Sequence, residues 1–166
     1  RVFGDSGDDV IVIQGTSAED DIYRGGEGRD VLIVGSEDNS SYNDSGKGTD
    51  LRNATISEIE VLELRNAHHR DAWREGGTEG SGILITASQL NRFEQISTFN
   101  NRESLFGGED YELSDIMSQG TSPYAYIRIE GEGTIDLNTT KFDGTSSFRL
   151  IGDGADQSFS GNDQVD

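Results

Sequence analysis

The chain has 166 residues, enough for one domain with a single sizeable core or at most two small domains. It carries 32 acidic against 13 basic residues, a formal net charge of -19, which disfavours nucleic acid and anionic membranes as partners and attracts cations. It contains no cysteine, which excludes disulfides, thiolate metal sites and cysteine nucleophiles, and no apolar run approaches the ~20 residues of a transmembrane segment.

Three near-consecutive copies of a nine-residue pattern occupy the N-terminal part. They read GDSGDDVIV at 4–12, GTSAEDDIY at 15–23 and GGEGRDVLI at 25–33. Each has Gly first, Gly or Ala fourth, Asp sixth and a large aliphatic residue eighth. The third copy fits G-G-x-G-x-D-x-U-x at every specified position, and such a period indicates a repeat architecture.

Degenerate copies of the pattern follow further along the chain. SGKGTD at 45–50 keeps two glycines and the aspartate, whereas GDGAD at 152–156 and GND at 161–163 keep less of it. The chain begins at Arg1 and stops at Asp166 inside such a motif, so we expect it to be a piece of a longer polypeptide.

Residues 4–33 resemble the calcium-binding nonapeptides of RTX (haemolysin-type) secreted bacterial proteins. The resemblance implies an all-β fold, a right-handed parallel β-roll or β-helix solenoid with short helical or loop insertions. Each nonapeptide would form a calcium-binding turn and a short strand. Successive turns would lie on alternate sides, so calcium would sit between the loops of copies one and three. The segments ISEIEVLEL and ITASQL of the middle region are similar in style to S-layer and RTX adhesin proteins.

The residue types of the nonapeptide suit a hard cation. Calcium takes six to eight oxygens at about 2.3–2.6 Å, from carboxylates and main-chain carbonyls, and glycines let a loop aim its carbonyls at one point. We expect Asp9 and Asp30 to share one complete site, with one or two incomplete sites elsewhere. The candidate ligand residues of the three copies are Gly4, Ser6, Gly7, Asp9, Gly15, Asp20, Gly25, Glu27, Gly28 and Asp30. Those of the degenerate copies are Asp50, Asp153, Asp156 and Asp163.

The middle of the chain alternates short apolar segments with polar ones. We predict strands at 59–64, 83–85, 124–130, 134–137 and 148–151, and a short capped helix within TASQLNRFEQI at 86–96. Apolar centres recur mostly every 21 or 22 residues, which predicts coils of about that length. These centres are Ile11, Leu32, Leu62, Ile83, Leu105 and Ile127.

Three regions are predicted: RTX-like repeats at 1–50, a β-rich solenoid at 51–150 with a projecting loop at 68–82, and degenerate repeats at 151–166. The predicted function is a calcium-binding structural or adhesive segment of a secreted bacterial protein, at the cell surface or outside the cell. One alternative is a β-helical polysaccharide lyase, epimerase or hydrolase fragment. Arg128 and Arg149 with Glu130 and Asp136 would then face a sugar chain. A carbohydrate-binding module that binds extracellular polysaccharide is the other alternative.

Overall fold

The computed structural model describes residues 1–13, 18, 20–35, 49–65, 82–99, 124–144 and 147–161. Strands dominate these residues, and every strand pair among them is parallel. The predicted all-β class is therefore confirmed, with parallel sheets. Parallel neighbours cannot be joined by tight hairpins, so the chain must travel a full circuit before it returns to the same sheet.

The strands of the described residues form four sheets. The five-stranded sheet contains, in spatial order, β2 (Val10–Ile13), β4 (Val31–Gly35), β7 (Val61–Arg65), β9 (Gln95–Phe99) and β12 (Lys141–Gly144). The four-stranded sheet contains β5 (Thr49–Asp50), β8 (Gly82–Thr86), β10 (Tyr124–Glu130) and β13 (Ser147–Gly152). The three-stranded sheet contains β1 (Val2–Phe3), β3 (Ile22–Arg24) and β6 (Thr55–Ser57). The two-stranded sheet pairs β11 (Gly133–Asp136) with β14 (Gln157–Ser160).

The five strands predicted in the middle of the chain correspond to β7, β8, β10, β11 and β13. Their alternating or continuous aliphatic residues supply the buried faces, because successive side chains of a strand point to opposite sides. Ile83, Ile85, Ile127 and Ile129 are all buried in the core. Each such side chain contributes ~1.5–3 kcal/mol when it is removed from water.

The register along the five-stranded sheet confirms part of the predicted stacking of apolar centres. Ile11 pairs with Leu32, and Leu32 pairs with Leu62. Beyond Leu62 the prediction of a uniform coil is wrong, since the next partner is Ile96. Ile83 pairs instead with Ile127 in the four-stranded sheet. The apparent period combined strands of two different sheets, because the connections that follow β4 are longer than the connection between β2 and β4. Leu105 lies outside the described residues.

The predicted helix is present but short. Helix α1 spans Ala87–Leu90 and begins with a capping box, in which the Gln89 N–H donates to Thr86 Oγ1 and the Thr86 N–H donates to Gln89 Oε1. The helix ends early because the chain continues into β9 at Gln95. Residues 68–81 of the predicted projecting loop lie outside the described residues, and Gly82 begins β8.

Strands from different predicted regions share sheets. Thus β2 and β4 of region 1–50 lie in one sheet with β7, β9 and β12 of region 51–150.

No helix among the described residues is long and apolar enough to cross a membrane.

Candidate functional site

The turns of the first and third nonapeptides lie directly against each other. Turn 4–9 precedes β2 and turn 25–30 precedes β4, and we call these turns with their strands layer one and layer two. Ser6 and Glu27 form a parallel bridge between the layers. The Gly7 N–H donates to the Glu27 carbonyl oxygen at 2.7 Å, and the Glu27 N–H donates to the Asp5 carbonyl oxygen at 3.0 Å. The structure therefore brings together the two loops that the resemblance pairs.

The glycines of these turns lie where the next layer leaves no room for a side chain. A Cβ atom on Gly4 would overlap the carbonyl oxygen of Gly25, and one on Gly25 would overlap the carbonyl oxygen of Glu58. Gly28 likewise faces the carbonyl oxygen of Gly7. The glycines thus permit close approach of the layers whether or not a cation binds.

The aspartates at the sixth position connect one layer to the next. The Asp9 N–H donates to Asp30 Oδ1 at 2.8 Å, and the Asp30 N–H donates to Glu60 Oε2, also at 2.8 Å. Val10, Val31 and Val61, the next residues, are paired across β2, β4 and β7. Asp9, Asp30 and Glu60 therefore form a ladder of carboxylates at the start of three neighbouring strands, which we call the acidic ladder.

Asp30 is the buried member of the acidic ladder. Its side chain is 0% exposed, and its Oδ2 atom has no hydrogen-bond partner in the part of the chain that the structure describes. A buried carboxylate oxygen without a partner is costly, and such atoms in folded proteins usually bind a donor, a water or an ion. Asp9 differs, because its Oδ2 accepts the Asp5 N–H at 3.1 Å.

The oxygens around Asp30 Oδ2 are of the kind that a hard cation takes. Asp30 Oδ2 and the Glu58 carbonyl oxygen both lie close to Gly25, where a Cβ atom would overlap each of them. The same arrangement occurs one layer earlier, where Asp9 Oδ2 and the Gly25 carbonyl oxygen border Gly4. Carboxylate and carbonyl oxygens are the ligands that calcium takes. Across the described ranges no group of three or more histidine, aspartate or glutamate side chains is placed to hold a metal ion, so main-chain oxygens would have to supply much of the coordination.

The second nonapeptide and the partial fourth copy contact each other through their main chains. The Ala18 N–H donates to the Asp50 carbonyl oxygen at 3.2 Å, and Asp20 is exposed with a φ of 60°. The Asp50 carboxylate is bound by the chain's own cation, because Arg52 Nε donates to Asp50 Oδ1 at 2.9 Å. These hydrogen bonds from Arg52 hold the pKa of Asp50 below its usual range. Gly15 lies outside the described residues.

The C-terminal degenerate copy uses its first aspartate to close a turn. Asp153 Oδ2 accepts the Gly131 N–H at 2.8 Å and Oδ1 accepts the Ala155 N–H at 2.9 Å, which lowers the pKa of Asp153. Asp156 is exposed, and its carbonyl oxygen accepts the Gly133 N–H at 3.2 Å. Asp163 lies outside the described residues.

Three of the residues considered for polysaccharide chemistry are bound by neighbouring side chains or main-chain groups. Arg128 Nε lies 3.4 Å from Glu130 Oε1, and Arg52 also forms an ion pair with Glu130. Asp136 Oδ1 accepts a hydrogen bond from the Ser160 hydroxyl at 3.0 Å. The pKa of Asp136 is lowered mainly by a hydrogen bond from the Asn138 N–H and also by the one from Ser160. The side chain of Arg149 lies outside the described residues.

Glu58 and Glu60 are the members of the site that the nonapeptide pattern missed. The turn before β7 has no glycines, so it does not match that pattern. A simpler signal was available, since Asp9, Asp30 and Glu60 each precede Val and an aliphatic residue, in DVI, DVL and EVL. An acid directly before Val and a second aliphatic residue therefore marks all three steps of the acidic ladder.

Comparison with known proteins finds no family model, no curated protein and no solved structure that matches the chain. The geometry of the stacked turns and the acidic ladder therefore carries the functional conclusion alone. That geometry offers carboxylate and carbonyl oxygens beside glycines, and the Oδ2 atom of buried Asp30 has no hydrogen-bond partner among the described residues.

Proposed function

We propose that the chain is a calcium-binding structural or adhesive segment of RTX type from a secreted bacterial protein. Its architecture would be a right-handed parallel β-roll or β-helix solenoid, in which successive circuits of the chain add neighbouring strands to a sheet. The parallel pairing of all described strands and the repeated returns to the five-stranded sheet support this architecture. The observation that carries calcium binding is the buried Oδ2 atom of Asp30, which has no partner within the described ranges.

The residues that would hold calcium are those of layers one and two. Asp9 and Asp30 supply negative charge, and the glycine-rich turns supply main-chain oxygens. A bound calcium ion neutralises two carboxylates that the fold places in adjacent layers. Without it, the repulsion of these acids adds to that of a chain with a net charge of -19 and opposes compaction.

Calcium would couple folding to the place where the protein acts. An ion that binds only the folded state stabilises it by mass action, by ~2.7 kcal/mol at a concentration 100 times the dissociation constant. This is a large share of the ~5–15 kcal/mol that separates folded from unfolded states in most domains. A segment of this kind stays loose where calcium is scarce and folds outside the cell, where it is abundant.

Calcium titration of the wild-type chain by isothermal calorimetry tests the proposal, with chelator-treated protein as the starting state. We expect saturable binding that Asp9→Ala and Asp30→Ala each weaken. We also expect the double variant to bind calcium little more weakly than the weaker single variant, because substitutions of two groups of one site are not additive. Fully additive losses, or no loss in either variant, would contradict a shared site.

Polysaccharide binding is a second candidate function, favoured by one feature of the surface. An open depression of about 500 Å³ lies on the two-stranded sheet and is lined by Glu132, Gly133, Thr134, Asp156, Gln157 and Ser158. Its polar side chains suit the hydroxyl groups of a sugar, and its two acids disfavour uronates. Saturable binding of a neutral polysaccharide without turnover would support a binding module, whereas turnover would support the enzyme alternative.

A further inference from the structure

We infer that the calcium ion at Asp30 is also bound from the third layer, with the Glu60 carboxylate as an anionic ligand and the Glu58 carbonyl oxygen as a neutral one. Layer three denotes the short turn 58–60 together with β7. This inference rests on the proposed calcium function and extends the site beyond the three nonapeptides. It gives a role to two residues that match no part of the repeat pattern.

The register places the short turn of layer three directly beneath the turn of layer two. Arg24 pairs with Ser57, and the Gly25 N–H donates to the Ser57 carbonyl oxygen at 3.1 Å. At the other end of the turn, Val31 pairs with Val61. The turn of layer three thus has three residues, whereas the turns of layers one and two have six residues each. Its first and last residues, Glu58 and Glu60, stand opposite the ends of the turn 25–30.

Glu58 brings its carbonyl oxygen close to Gly25 from an unusual backbone conformation. Its φ is 54°, a left-handed value that costs a residue with a side chain ~1–2 kcal/mol. Its own carboxylate faces Arg24, which donates to it at 2.5 and 2.7 Å and lowers its pKa. The side chain of Glu58 is therefore engaged elsewhere, and its main chain is what borders Gly25 and Asp30 Oδ2.

Glu60 brings a second negative charge to the buried carboxylate. Its Oε2 atom accepts the Asp30 N–H at 2.8 Å, and its own N–H donates to the Asp30 carbonyl oxygen at 3.2 Å. Glu60 is half-buried, so water screens this charge less than it screens an exposed one. Two carboxylates beside one buried site match the charge of a divalent cation.

The two aspartates of the site differ in the oxygen that lies toward the next layer. Asp9 Oδ2 already accepts the Asp5 N–H, whereas Asp30 Oδ2 is buried and lacks a partner in the described part of the chain. The oxygen that requires a further ligand is therefore the one that lies toward layer three, so the added ligands of the site come from that layer.

The test compares calcium binding by the wild-type chain, Glu60→Gln and Glu132→Gln in the same calorimetric titration with calcium chloride. Gln at position 60 still accepts the Asp30 N–H but removes the charge. We expect it to weaken calcium binding by about tenfold or more, since the charge of the ligands sets the affinity of such sites. Glu132→Gln removes an equal charge from the exposed depression and should change the affinity less than about twofold, as a surface charge does.

Folding of each variant is checked by circular dichroism in the presence of a chelator. Glu60→Asp is a second variant at the same position. It keeps the charge but shortens the side chain by one methylene, so we expect a smaller loss of affinity than in Glu60→Gln. Wild-type affinity in Glu60→Asp would contradict direct ligation, even if Glu60→Gln failed to fold.

The outcomes separate this inference from the proposed function. If the wild-type chain binds no calcium, both are overturned. If Asp30→Asn loses binding while Glu60→Gln binds as the wild type does, only the role of Glu60 is overturned. Equal losses in Glu60→Gln and Glu132→Gln would show an effect of net charge and overturn the inference too. A selective loss in Glu60→Gln supports it.

Discussion

At the scale of single residues, the glycines of the stacked turns have a role that does not depend on calcium. Gly25 is buried, and its missing side chain lets the Glu58 carbonyl oxygen approach the main chain. A main-chain atom in the middle of a sheet-bound layer cannot move aside as a flexible side chain can. Substitution at this position therefore reports on the stacking itself.

We predict that Gly25→Ala destabilises the fold by ~1–3 kcal/mol or more, the usual cost of forcing extra atoms into a packed site. The matched control is Gly152→Ala, whose new Cβ would meet the terminal Oε1 atom of the Gln157 side chain rather than a main-chain atom. Urea unfolding in the presence of a chelator, monitored by circular dichroism, measures the unfolding free energy of both variants. Equal stability of the two variants would contradict close stacking at Gly25.

A second residue-level prediction concerns acid. The N–H groups of Gly131 and Ala155 favour the ionised form of Asp153 and lower its pKa in the folded state. A carboxylate of this kind contributes stability above its unfolded pKa of ~3.9, and the contribution is lost as the pH falls through the lower folded value. We therefore expect Asp153→Asn to flatten the fall in unfolding free energy between about pH 5 and pH 3, the window of that loss.

Asp156→Asn is the control for this effect, since it removes the same charge from the same turn. It should follow the wild-type pH dependence more closely than Asp153→Asn does. Identical pH profiles for wild type and Asp153→Asn would show that the turn hydrogen bonds do not favour the ionised carboxylate.

At the scale of secondary-structure elements, Gln89 joins the capped helix to the chain segment that follows β5. Its side-chain amide donates to the carbonyl oxygens of Leu51 and Ala54 at 2.7 and 2.8 Å. Its Oε1 atom closes the capping box with Thr86. One buried side chain thus satisfies polar groups of two elements that are distant in sequence.

We predict that Gln89→Leu destabilises the fold by ~1–3 kcal/mol, the cost of leaving buried polar groups without partners. Leu51 retains the Ala54 N–H as a donor, so the loss falls mainly on the Ala54 carbonyl and the Thr86 N–H. Ser88→Ala, at an exposed position of the same helix, should cost much less. Thermal unfolding of both variants measures the difference, and equal melting temperatures would contradict a structural role for Gln89.

The success of sequence prediction also differs by element. The capping box of Thr86 and Gln89 and the alternation in β10 are local signals, so the sequence reveals them. The pairing of Leu62 with Ile96 is not local, because it depends on the length of the connection between β7 and β9. The stacking of Asp9 with Asp30 was implied by the resemblance to RTX nonapeptides, whereas Glu60 was missed because layer three replaces a six-residue glycine turn with three residues.

At the scale of the whole molecule, the central feature is an excess of acid held in parallel layers. The formal net charge of -19 opposes compaction throughout, and the acidic ladder concentrates part of that charge on one line of the structure. Monovalent salt screens such repulsion but cannot fill a coordination shell. Magnesium dehydrates reluctantly and demands a tighter octahedron than calcium does.

The most direct test of calcium binding is the melting temperature of the chelator-treated chain in calcium chloride, magnesium chloride and sodium chloride at matched ionic strength. Stabilisation by a bound ion follows mass action, and ~1 kcal/mol shifts the melting temperature of a domain of this size by roughly 2–4 °C. We predict that millimolar calcium raises the melting temperature by several degrees, that magnesium does less, and that sodium chloride does least. The same shift in all three salts would show that the glycine-aspartate turns are only acidic turns and would contradict the calcium assignment.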